Sequence, residues 1–159
     1  MSAESDVAAL VAAGPIAAIA RVGHAPFDID DPIEIFFQSG ALYHIDIGFV
    51  GATDIVMREG PLLEHAFGHL RTEEPDTFTA IARDWTSEPI DLAWAIGHTL
   101  ANPRRLAMTE PYRVEVGYVF DIAGRALALF GEADLIQIGA LDDPHIEAYA
   151  PEIGAPFQY

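Results

Sequence analysis

The chain has 159 residues, contains neither Cys nor Lys, and sets 25 Asp and Glu against 8 Arg, for a formal net charge of −17. A field of that sign and size repels nucleic acid and anionic membrane surfaces and draws in cations and basic proteins. The missing thiol removes disulfides, thiolate metal sites and cysteine nucleophiles, and the missing amine removes P-loop, Schiff-base and pyridoxal-phosphate chemistry.

At the amino end, Val7 to Ala20 is apolar and closes on the small-x-small triplet Ala18-Ile19-Ala20. Its flank carries Glu4 and Asp6 where a secretory leader needs cations, Gly14-Pro15 interrupts it, and it is too short to span a bilayer. The pattern predicts a helix from Ala3 to Ala13, capped by Ser2 or Ser5, and a second turn begun by Pro15.

From Ile33 the apolar period becomes two. Ile33 to Gln38 and Leu42 to Ile47 flank Ser39-Gly40, which reads as a β-hairpin with a two-residue loop. That register sets Phe36 opposite Tyr43, Ile35 opposite His44 and Ile33 opposite Asp46, so His44 and Asp46 share a face with aliphatic residues. A third strand is expected over Thr53 to Met57, ended by Gly60-Pro61.

The middle reads as helical in three stripes: Leu63, Ala66, Phe67 and Leu70; then Phe78, Ile81, Ala82 and Trp85; then Ile90, Ala93, Trp94, Gly97, Leu100 and Ala101. Pro75, Ser87 with Pro89, and Asn102-Pro103 punctuate them. Strands return over Arg104 to Met108, Tyr112 to Phe120, Ala126 to Phe130 and Leu135 to Ile138, with turns at Gly124-Arg125 and Gly131-Glu132. A short helix from Pro144 to Ala150 is entered through Asp142-Asp143. The resulting expectation is a single α+β domain over residues 1–159. It has one mainly antiparallel sheet of six or seven strands and a three-helix insertion packed on one face. Phe37 to Leu42 and Phe120 to Leu127 echo each other, which reads as shared hairpin grammar and not as duplication.

Histidine is the first place to seek chemistry. His65 and His69, four apart on the expected first middle helix, could reach one metal ion, with His44 and Asp46 completing a ligand set from a strand. Against it, both helix positions fall on the side opposite the apolar stripe, and the H-E-x-x-H pattern is absent. No metal or other cofactor is therefore expected. A carboxylate on a half-buried face must pair or shift its pKa, so His44 and Asp46 read first as structurally hydrogen-bonded, to an Arg or to backbone, and in the alternative as a general acid or base at a pocket mouth. The four serines read as caps or a turn, with no nucleophile elbow.

Asp28, Asp30 and Asp31 gather on one connector, and Glu73, Glu74 and Asp76 on another. The first lacks the Gly and terminal Glu of an EF-hand loop, so both read as solvated acidic connectors suited to a basic partner. These readings converge on a cytoplasmic acidic binding protein that captures a basic protein, of which an immunity-type inhibitor of a bacterial toxin is one concrete form. The alternative is a small enzyme or ligand-binding protein with a pocket around His44 and Asp46. Homo-oligomerisation stays open on either reading.

Overall fold

Alternation with period two, more than helical stripes, organises the chain. The computed structural model describes residues 3–23, 32–47, 55–60, 82–84, 92–109, 112–132 and 135–156. In chain order these form α1 (Ala3–Ala12), β1 (Ile16–Gly23), β2 (Ile33–Phe37), β3 (Leu42–Ile47), β4 (Ile55–Glu59) and β5 (Ala82–Asp84). A 3-10 turn (Ala93–Ala95) leads to β6 (Ala101–Met108), β7 (Val114–Ile122), β8 (Arg125–Glu132), β9 (Leu135–Ala140), α2 (Pro144–Glu147) and β10 (Glu152–Pro156).

Among the described residues, ten strands build two five-stranded antiparallel sheets, in the orders β4-β3-β2-β1-β5 and β9-β8-β7-β6-β10. The expected α+β class with a single sheet and a three-helix layer is thereby overturned: the described chain is mostly β, with two short helices. Of the expected helical insertion, 61–81 and 85–91 lie outside the described residues. The parts that are described depart from it: Ala82–Asp84 is a strand on the edge of β1, and the third stripe contains one 3-10 turn. Gly97, at φ +87°, takes a left-handed conformation that no helix continues through. Leu100 and Ala101 then lead into extended chain, where a few apolar residues fit either period. Pro15 likewise starts no helical turn, because Ile16 opens β1 and is tied by its N–H to the His98 carbonyl at 2.9 Å.

The two strand orders are the same topology traversed twice: four meandering strands, then a return to pair with the outer edge of the first. In the sequence, Phe37 matches Phe120 ahead of each hairpin turn, and both rings lie on the inner face. The resemblance between the blocks thus reaches past the hairpin to the whole sheet.

Inner faces of both sheets feed one apolar cluster. Ile16, Ile33, Ile35, Ile45 and Met57 meet Tyr118, Phe120, Leu127, Leu129, Ile136 and Ile138. Val7 and Leu10, one turn apart on α1, are fully buried in the same cluster. Each such side chain contributes roughly 1.5–3 kcal/mol by leaving water, which is what holds these twisted sheets together. α1 stops where Gly14 takes φ +86° ahead of Pro15.

A second cluster lies on the outer face of the second sheet: Leu106, Val116, Val119, Ala128 and Phe130, with Ile146 of α2 over them. Val116 and Val119 share this face although three residues apart, because a bulge in the β6–β7 pairing inserts a residue near Gly117.

Candidate functional site

The β2–β3 turn decides where His44 goes. Phe37 N–H donates to the Ala41 carbonyl at 2.9 Å, Gly40 N–H donates to the Phe37 carbonyl at 3.0 Å, and Gly40 sits at φ +93°. The loop therefore has three residues, Gln38-Ser39-Gly40, closed by a left-handed glycine, and not the two expected. The pairing slips by one residue: Ile35 faces Tyr43, Glu34 faces His44, and Ile33 faces Ile45. With a side-chain period of two, that slip transfers His44 and Asp46 from the aliphatic face to the outer face.

There they join a polar row that the sequence reading missed. Glu34 on β2, His44 on β3 and Arg58 on β4 are directly opposite one another, and Asp46 stands one step along β3 opposite Val56. Glu34 is 0 % and His44 1 % exposed, whereas Arg58 is exposed and Asp46 half-buried. His44 Nδ1 donates to the Gly60 carbonyl oxygen at 2.8 Å, which places the ring proton on Nδ1 and makes Nε2 the basic nitrogen of the neutral ring. The strand register sets the Glu34 carboxyl directly opposite that imidazole on the same face, a juxtaposition of the two group types that general acid–base chemistry uses. Glu34 escaped notice because, between Ile33 and Ile35, it reads as the solvent side of an alternating strand.

The other site residues expected from the sequence, Asp28, Asp30, Asp31, His65, His69, Glu73, Glu74 and Asp76, lie outside the described residues. Among the described residues, no three His, Cys, Asp or Glu side chains gather closely enough to hold a metal ion.

The equivalent row of the second sheet has a different composition. With Phe37 aligned on Phe120, the places of Glu34, His44 and Arg58 are taken by Gly117, Phe130 and Gln137, again directly opposite one another. Phe130 is covered edge-on by Tyr149, with centroids 5.3 Å apart, and Gln137 Oε1 meets His145 Nε2 at 2.6 Å.

Arginines on the second sheet are spent internally. Arg104 pairs with Asp121, Arg105 with Glu115 at 3.2 Å, Arg113 with Glu152 at 3.1 Å and Arg125 with Asp142 at 3.1 Å. Among the described residues, no patch of unopposed cations interrupts the acidic surface of that sheet. No helix of the described residues is long and apolar enough to cross a membrane. Compared with protein-family models, curated proteins and solved structures, the chain gives no match.

Proposed function

We propose that this chain is an acidic binding protein that captures a basic protein partner in the cytoplasm, in the manner of an immunity-type inhibitor of a bacterial toxin. The observation that carries the reading is the charge of −17, together with the use of Arg104, Arg105, Arg113 and Arg125 as internal counter-ions. Cations held that way do not screen the remaining carboxylates from an approaching partner, and complementary fields accelerate encounter. The test is coexpression with a toxin-like product of an adjacent reading frame, followed by association kinetics at several salt concentrations. Rescue of growth and an association rate falling steeply with salt are expected, since a Debye length of about 8–10 Å screens long-range attraction. Neutralising Asp28, Asp30 and Asp31, or Glu73, Glu74 and Asp76, to Asn and Gln is expected to slow association several-fold at low salt. A rate indifferent to salt and to these substitutions overturns the proposal.

A second reading, a small enzyme or ligand-binding protein, is favoured by one observation. Glu34 and His44 are buried on an outer face whose counterpart in the second sheet is built around Gly117 and Phe130. The topology does not require buried ionisable groups there, and ionisable side chains buried opposite one another concentrate at functional sites.

A further inference from the structure

At the turn end of the second sheet, Gly124, Arg125 and Ala126 of the β7–β8 hairpin, Leu141 and Asp142 of the β9–α2 connection, and Glu147 of α2 line an open cleft of about 330 Å³. That volume is near the small end of the range for ligand sites, about 300–1,000 Å³, so it suits one long side chain better than a cofactor.

Its chemistry is divided. Gly124, Ala126 and Leu141 offer apolar surface, while Asp142 and Glu147 offer carboxylates. The one cation in the lining is already engaged: the Arg125 guanidinium lies 4.3 Å from the centroid of the Trp94 ring and donates to Asp142 Oδ1 at 3.1 Å. Asp142 remains 76 % exposed, and Glu147 has no cationic partner among the described residues. An apolar floor beside two carboxylates is complementary to an arginine or lysine side chain, whose methylene stem covers apolar surface while its head seeks an anion.

We propose that this cleft receives a long cationic side chain of a basic protein partner, with the stem on Ala126 and Leu141 and the charged head between Asp142 and Glu147. The inference rests on the acidic-capture reading and gives it a location. It also fixes a sign for Arg125: that residue is the incoming cation's competitor for Asp142 and Trp94, not its ligand.

The test uses the full chain and an acetylated hexa-arginine peptide, titrated at low ionic strength and followed by backbone amide chemical shifts. Shifts are expected at Gly124–Ala126 and Leu141–Glu147. The Asp142→Asn/Glu147→Gln double variant should weaken them about five- to tenfold, the scale of two lost charge-assisted contacts. Arg125→Ala should tighten binding roughly two- to fivefold by removing a like charge. If Arg125→Ala abolishes binding, or if the shifts fall elsewhere and ignore the double variant, the cleft is overturned while acidic capture survives. If the peptide does not bind the native chain at all, both fail together.

Discussion

On the outer face of the second sheet, Phe130 sits under the edge of Tyr149, with Ile146 filling the cluster beside it. At the same place in the first sheet stands His44, bonded to the Gly60 carbonyl and facing Glu34 across the strand. The inner faces, by contrast, are interchangeable in kind: Ile33, Ile35 and Ile45 from one sheet, Phe120, Leu127 and Leu129 from the other. The core between the sheets is what a repeated topology must keep, since neither sheet can leave an apolar face in water. The outer faces are where the repeats are at liberty to differ. Among the described residues, ionisable groups are buried on only one of them, which is difficult to explain by stability alone, because apolar replacements of similar shape are often neutral or better.

The sharpest way to break the comparison is at Gly117, which occupies the position of Glu34. A Cβ there would run into the Leu129 carbonyl oxygen and come within 2.6 Å of Phe130 Cβ, most of this against backbone that cannot step aside. Gly117→Ala should destabilise the protein by about 3 kcal/mol or more, at the upper end of overpacking effects. Chemical denaturation would measure it. A loss below about 1 kcal/mol would mean that β7 and β8 approach no more closely than an ordinary strand pair.

Transplanting the second sheet's chemistry into the first comes next. His44→Phe alone and Glu34→Val alone should each cost about 2–4 kcal/mol, because each strands a buried partner. The double variant should cost clearly less than their sum, which a double-mutant cycle reads directly. Additive losses would show that Glu34 and His44 are held by other groups and not coupled to each other.

That row also marks the limit of what was legible from residues alone. The strands themselves were visible, because Val114 to Phe120 and Leu42 to Ile47 alternate cleanly and glycines punctuate them. Their faces were not, because one loop residue at Gln38-Ser39-Gly40 inverts every side chain that follows. The third middle stripe misled for a different reason. Ile90 to Ala101 has helical spacing, and nothing local reveals that Gly97 is left-handed until the segment is tied to β1 by the Gly97 N–H to Ile16 carbonyl bond. Such a contact, formed between the repeats, carries no sequence periodicity. β10 was missed because Glu152–Pro156 is short and exposed, as suits an edge strand protected by charge and proline.

The two hairpin turns permit a smaller, sharper comparison. The first closes with Gly40, whereas the second is a two-residue loop in which Ala123 takes φ +53° beside Gly124 at +75°. A left-handed alanine costs roughly 1 kcal/mol, and asparagine or glycine at that position of a primed turn costs less. Ala123→Asn should therefore stabilise the protein by about 0.5–1 kcal/mol, read as a rise in Tm. A fall would place the strain elsewhere in the loop.

Smallest in effect is the titration of one tyrosine from each half. Burial pushes the Tyr43 phenol up from the ordinary value near 10, with Glu59 across the strand and Asp6 on α1 adding to it; burial does the same at Tyr149, with Glu132 adding. A phenol that holds its proton longer in the folded state leaves stability unchanged below about pH 10, where both states are protonated. Above that the unfolded chain ionises first, so stability falls as the pH climbs towards the folded-state value. Glu132→Gln should lower the Tyr149 value only part of the way, since burial against Phe130 remains. Glu59→Gln should do less at Tyr43, where Asp6 still acts as well. Phenolate absorbance during an alkaline titration of each variant measures both. A complete return of Tyr149 to the ordinary value in Glu132→Gln would mean that its ring is not packed on Phe130, and the second sheet would then lose the aromatic cover that sets it apart from the first.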